Sequence, residues 1–411
     1  MKVLSNLDPA HDTSTIECAL FDPHQALLHD ELDRLRRLQH SRSTEGLPIW
    51  DLSMVNPDLA PPRLLMDRLL ESVTKSSNHR YAVSRGVRRL REAFSHKYEH
   101  RFGERIDPET QVCVCLGSKD GTFNALRVLV QQGDAVVVPS PSYPAHPPTV
   151  ALAGGRAVSW EFSQDPERAA ASLEQVCRQS KPAVLLLNVP TNPAGLTVSD
   201  DWWQAIGAIC ARYGVAILND FVYGEMCFSG KPAESALQVA QQGVRCVEMY
   251  SLSKAYNVPG WRVGALVGDA EIVRAVARVK SNADYGLFLP LQYAAAVALT
   301  AGEDLVGATV QTYLRRVRVL TSGVQALGWE VVTPEAGACV WVRCPGSVAV
   351  PRQSRHRSLD VTRHVLEHTG VVLTPGVVFG SQWDEWLRLA AVTNEERLRE
   401  VVRALQGLFE G

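Results

Sequence analysis

Five apolar runs in this 411-residue chain each lead into a polar residue or a glycine turn, and that recurrence narrows the folds open to it. VCVCL leads into Gly117, Ser118 and Lys119, and AVVVPS into Tyr143. AVLLL ends at Asn188 with Asn192 on the following turn, VAILN ends at Asp220, and CVEMY is followed by Ser251 and Lys254. Short apolar runs that do not alternate with polar residues suit strands buried on both faces. In a parallel sheet their carboxyl ends would meet along one edge, where open α/β sheets bind ligands. An α/β fold with its chemistry at that edge is therefore expected.

The stretch SLSKAYNVPGWRVGALVG, from Ser251 to Gly268, carries the most specific chemistry. Burial and a nearby cation such as Arg262 both lower the pKa of an amine, which makes Lys254 a candidate Schiff-base lysine. Ser251 and Arg262 suit a phosphate. At Gly117, Ser118 and Lys119 a strand turns into a helix, aiming free N–H groups and the helix dipole at an anion. Taken alone, that junction would also serve as a plain strand-to-helix turn. Asp220, at the end of an apolar strand, needs a cationic partner, because an unpaired carboxylate in an apolar site is costly.

With 42 Lys+Arg against 44 Asp+Glu, the net charge of −2 creates no field that favours nucleic acid or an anionic membrane. The opening MKVLSNLDPAHDTST lacks the apolar segment of a signal peptide, and no later stretch suits a membrane span, so a cytoplasmic protein is expected. The nine cysteines are scattered and sit mostly in apolar runs. They read as reduced core residues, and no metal site is expected. The length favours two or three lobes. ALLHDELDRLRRLQHSR has its leucines at helical spacing, and 346–360 reads as a Ser/Arg-rich surface loop.

The string S-x-S-K-x-x-x-x-P-G-W-R-x-G resembles the lysine signature of fold-type I, pyridoxal-phosphate-dependent aminotransferases of class I/II. NHRYAVSRG, GSKDG, PSYPAH, DYGLFLPLQ and TPGVVFG extend the resemblance from about Ile49 to about Leu408. Within the class it is nearest the alanine type, which uses glutamate and pyruvate. The resemblance implies a large domain, residues 61–295, with a mostly parallel seven-stranded sheet flanked by helices. Residues 1–60 would form an N-terminal arm and part of a smaller α/β domain, completed by 296–411. It implies pyridoxal phosphate bound by a Lys254 aldimine, with Asp220 at the ring nitrogen and Tyr143 stacked on the ring. Tyr223 and Asn192 would share the phenolic oxygen, and Gly117, Ser118, Lys119, Ser251 and Arg262 would surround the phosphate. Tyr81 would reach across a homodimer to the partner's cofactor phosphate.

Arg388, in WLRLAAV, matches the family's arginine strand, and a guanidinium fork suits the α-carboxylate of an amino-acid substrate. The activity implied is amino-group transfer between an L-amino acid and a 2-oxo acid. The alternative is β- or γ-elimination or replacement on a specialised amino acid such as a sulfonium compound, for which the same Lys254, Asp220 and Arg388 would serve. The chain departs from the family near the substrate. Val55 stands where a glycine is usual, Ala265 replaces a bulky aromatic, and Leu287 and Leu289 replace hydroxyl residues. A reshaped, more apolar pocket is expected, with alanine a poor substrate.

Overall fold

In the computed structural model the five apolar runs are strands of one sheet. The structure describes residues 23–301, 304–344, 346 and 350–409. Its first elements are α1 (Pro23–Thr44), β1 (Trp50–Asp51), α2 (Arg63–Val73) and α3 (Arg88–Phe102). Then come β2 (Val112–Leu116), α4 (Ser118–Leu129), β3 (Ala135–Ser140), α5 (His146–Leu152), β4 (Arg156–Glu161) and α6 (Pro166–Ser180). They are followed by β5 (Val184–Leu187), α7 (Asp200–Tyr213), β6 (Ala216–Asp220), β7 (Cys246–Ser251), the single turn α8 (Leu252–Ala255) and β8 (Val263–Gly268).

The seven strands β2 to β8 lie in the order β2-β8-β7-β6-β5-β3-β4. Only β8 runs against its neighbours. The sheet is thus mostly parallel, as expected. Strands β3, β5, β6 and β7 are buried throughout, which is why their sequences are mostly apolar and do not alternate; Glu248 within β7 is buried with its carboxylate accepting from Asn219, Ser235 and the Ala236 N–H. Their common direction carries Ser140, Asn188, Asp220 and Ser251 to the same edge.

Beyond β8 come α9 (Ala270–Ala283), α10 (Leu289–Thr300), α11 (Asp304–Ala326), β9 (Glu330–Val332), β10 (Cys339–Arg343) and α12 (Arg357–Thr369). The last elements are β11 (Val371–Val372), β12 (Thr374–Pro375), β13 (Trp386–Ala390) and α13 (Glu395–Phe409). Strands β12-β13-β10-β9 form an antiparallel sheet, and β1 pairs with β11. This sheet has its own core, in which Val340, Leu387 and Leu389 meet Leu398, Val401 and Leu405. Helix α11 serves both cores: Val310 and Tyr313 pack into the large one, Val317 and Leu320 into the small one. The two sheets are thereby linked by one continuous helix.

The predicted amphipathic helix is α1. Its Leu28, Leu32 and Leu35 pack against Leu359, Val377 and Val378, and Glu31 pairs with Arg363 at 2.7 Å. The rest of the predicted N-terminal arm, residues 1–22, lies outside the described residues. The predicted 346–360 loop is shorter than expected. Asp384 accepts from the backbone N–H groups of Arg357 and Ser358 and so starts α12 inside that stretch. Residues 347–349 of it lie outside the described residues.

Candidate active site

Lys254 sits on the single turn α8, directly after β7. The Ser251 hydroxyl accepts the Ser253 N–H at 3.2 Å and so caps that turn. Ser118, Lys119, Tyr143, Asn192, Asp220, Tyr223, Lys254, Arg262, Arg388 and Val55 all border one cavity of about 260 Å³. Residues spread over more than three hundred positions of sequence thus converge at the carboxyl edge of the sheet. Gly117 does not border the cavity, but it stands behind Arg262. A Cβ added there would lie 2.2 Å from Arg262 Nη2, and φ at Gly117 is +79°, so this close packing needs glycine.

The Lys254 amine has a lowered pKa of about 8, through burial first and then the nearby Arg388 and Arg262 cations, partly opposed by Cys339 and Asp220. Arg388 outweighs Arg262, the cation expected from sequence. Lys254 Nζ donates to the Val55 carbonyl at 2.5 Å. On β13, Arg388 Nη1 donates to Asn192 Oδ1 at 3.0 Å, and Nη2 donates to Thr374 Oγ1 at 3.2 Å and to the Ser53 carbonyl. Arg388 Nε is buried without a partner.

Asp220 presents a different situation. Its Oδ2 faces His146 Nε2 at 3.4 Å, while its Oδ1 is buried and has no partner. An orphaned carboxylate oxygen at this depth is a place for a cationic N–H donor from outside the chain. Burial pushes the Tyr143 phenol up and the Tyr223 phenol well up, so both stay protonated donors near neutrality.

Besides Gly117, two predicted residues stand apart from the cavity. Ser251 is covered, its place at the wall taken by Ser253, to whose hydroxyl it donates at 2.9 Å. Tyr81 is 81% exposed, and its ring lies over Tyr285 with centroids 4.3 Å apart. Of the four departures noted in the sequence, only Val55 borders the cavity. Ala265 is fully buried inside the sheet, paired with Val114 and Tyr250, and Leu287 packs into the large core. Leu289 begins α10, away from the wall. These three therefore do not reshape this cavity, contrary to the expectation.

His146 joins the site without having been expected there. Its only signal in the sequence is the i, i+3 spacing from Tyr143 in PSYPAH. A wider groove of about 520 Å³ between α11 and α13 contains none of the candidate residues. His364, Glu367 and His368 on α12 bring ligand-type atoms within 4.8 Å of one another, on a largely exposed face far along the chain from the strand ends.

The sequence profile of the aminotransferase class I and II family matches residues 48–405. Among named relatives, the glutamate-pyruvate aminotransferase AlaC of Escherichia coli is 35% identical over 90% of this chain and 89% of its own. LL-diaminopimelate aminotransferase 2 of Nostoc is 30% identical, over 90% of this chain and 94% of its own. Among solved structures, apo BacF from Bacillus subtilis superposes with a TM-score of 0.84 at 29% identity, covering 92% of this chain and 95% of that one.

Proposed function

The chain belongs to the aminotransferase class I and II family, whose members depend on pyridoxal phosphate, and from that premise we propose how its own residues divide the work. The observation that carries the reading is the buried, partnerless Asp220 Oδ1 in the same cavity as a lysine of lowered pKa and a buried arginine. Such an oxygen fits a protonated pyridine nitrogen. Ser118, Lys119 and Arg262, around the bare Gly117, fit the phosphate, with Ser251 supporting them through Ser253. Tyr143 fits the ring face, and Tyr223 with Asn192 the ring's phenolic oxygen.

Bound in this cavity, pyridoxal phosphate would supply an electron sink for the pair left at the substrate Cα. Arg388 holds the substrate α-carboxylate through its guanidinium fork. That orientation presents the Cα hydrogen to Lys254, whose Nζ, with a pKa of about 8, takes the proton and later returns it. Tyr223, kept protonated by burial, would donate to the cofactor's phenolic oxygen. With the amino group left on the cofactor and the oxo oxygen taken from water, the product would leave as a 2-oxo acid, and a second 2-oxo acid would take up the amino group by the reverse route. The relatives are named as aminotransferases, which favours transfer over side-chain elimination or replacement.

We propose a division of the chain at 1–60, 61–295 and 296–411; two separate cores support two lobes, although the rest of α10 and the first half of α11, beyond 295, pack into the large core. We also propose a homodimer with shared sites. Tyr81, Tyr285 and Val83 are exposed apolar groups, and Tyr81 does not border its own chain's cavity. A monomer in sedimentation that retains full activity would remove this proposal. A cytoplasmic enzyme is supported by eight buried, unbridged cysteines among the described residues, which suit a reducing compartment. Imaging a tagged chain tests it.

For the substrate we propose an amino acid other than alanine, because Val55, a stiff branched residue where the family usually has a glycine, borders the cavity. The test of the whole reading is a half-reaction. With an L-amino acid and no acceptor, the enzyme should release one 2-oxo acid per site and hold the aminated cofactor. Borohydride reduction of the resting enzyme should place the pyridoxyl group on Lys254. A label on any other lysine, or an unchanged cofactor after exposure to a panel of amino acids, would overturn it.

A further inference from the structure

The turn that receives the phosphate in the reading above is followed at once by an acid. Asp120, in the first turn of α4, directs its carboxylate back under the turn. Its Oδ2 accepts the Leu116 N–H at 2.8 Å, and its Oδ1 accepts the Asn124 amide at 2.8 Å. A negative charge so close to an anion site works against it, and only Coulombic compensation makes the arrangement suitable for a phosphate.

The compensation comes from a distant helix. Lys280 on α9 has a side chain with 0% exposure, and its Nζ lies 3.0 Å from Asp120 Oδ2 and 2.7 Å from Asp284 Oδ2. Burial alone would lower the pKa of this amine, and the two carboxylates reverse that, holding it above its ordinary value. Lys280 therefore keeps its charge while wholly buried. Asp284 in turn accepts the Gly286 N–H at 2.6 Å, in the loop whose Tyr285 stacks on Tyr81. One buried cation thus joins the base of the phosphate turn to the loop against which Tyr81 rests.

We propose that Lys280 is a positioning residue for cofactor phosphate: it neutralises Asp120 and holds the Leu116–Lys119 turn in its anion-receiving form, without touching the ligand. This rests on the reading of Gly117–Lys119 as the phosphate turn. A buried lysine that served packing alone would be better replaced by an apolar side chain, so a lysine paired with Asp120 beneath this turn points to its charge.

The test compares two probes on the apoenzyme, pyridoxal phosphate and pyridoxal, which differ only in the phosphate. The unaltered protein should bind the first much more tightly than the second. In Lys280→Met, affinity for pyridoxal phosphate should fall about tenfold or more, with pyridoxal affected little. Lys280→Arg should retain most of the preference, and Lys280→Met with Asp120→Asn should regain much of it by removing the exposed charge. Should Lys280→Met fail to fold, Asp120→Asn alone decides: it leaves the Lys280 cation less compensated beneath the turn and should tighten pyridoxal phosphate binding. An equal loss of both probes in Lys280→Met, or weaker phosphate binding in Asp120→Asn, would overturn the proposal. An unaltered protein that does not distinguish the two probes would instead overturn the phosphate-turn reading beneath it.

Discussion

The two walls of the cavity differ in what they leave unsatisfied. On the sheet wall, Asp220 keeps a buried oxygen without a partner, and Gly117 leaves bare backbone behind Arg262. On the wall from the small lobe and the 53–55 segment, the polar groups are occupied apart from Arg388 Nε. Arg388 donates to Asn192, Thr374 and the Ser53 carbonyl, and Lys254 to the Val55 carbonyl. On the proposed reading, the sheet wall receives the resident cofactor and the other wall exchanges partners with the substrates. A rigid ladder can hold an unsatisfied group in place; a wall made of loop carbonyls and a guanidinium can let go of one partner for another.

The sharpest way to break this contrast is at Lys254, which faces both walls. Lys254→Ala should cut turnover by at least about 10³-fold while the cofactor still binds without a covalent link, because the remaining sheet-wall contacts persist while the Schiff-base amine and the proton carrier are lost together. Single-turnover release of 2-oxo acid measures it; turnover within tenfold of the unaltered enzyme would assign proton transfer elsewhere. The same residue predicts a pH dependence with a definite sign. With its pKa lowered to about 8, the neutral amine grows as pH rises through that value, so capture of pyridoxal phosphate by apoenzyme should accelerate from pH 7 to 9 and then level off.

A smaller effect is expected where the walls exchange. Arg388→Lys keeps the charge but loses the fork, and kcat/KM for amino acids should drop roughly 10- to 100-fold with cofactor affinity unchanged. A parallel loss of cofactor affinity would mean that Arg388 supports the sheet wall as well. The smallest change is Val55→Gly. It removes a branched side chain from the wall without touching the carbonyl that Lys254 uses, and alanine turnover should improve by up to about tenfold. Brisk alanine turnover with 2-oxoglutarate by the unaltered enzyme would show that Val55 does not exclude alanine, in line with the activity named for the Escherichia coli relative.

The sheet wall is legible in the sequence, because each of its residues follows an apolar run whose direction and burial are encoded locally. Asp220 and Lys254 follow from the strand ends themselves, and Gly117 from the turn it makes. The other wall is legible only through resemblance. Arg388 lies in a strand between leucines, which by pattern alone could equally snorkel or pair on the surface; Thr374 enters only as the first residue of TPGVVFG, and Ser53 carries no signal. Motif position misleads at Ala265 and Leu287: it suggests the pocket, but alternation within β8 turns Ala265, with Val263 and Val267, into the large core, and Leu287 is drawn into the same core.

What the sequence alone determined is the set of strands, their burial and the polar residue each one delivers, since these depend on short runs and on the period of the backbone. Tertiary structure alone decided which of those residues share a wall, that Arg388 and not Arg262 most perturbs Lys254 among the cations, and that His146 stands beside Asp220. It also decided that Lys280, 160 positions beyond Asp120, lies 3.0 Å from it. Electrostatic coupling falls with distance through space and takes no account of separation along the chain, so a pairing between α4 and α9 exists only once the sheet has brought the helices together.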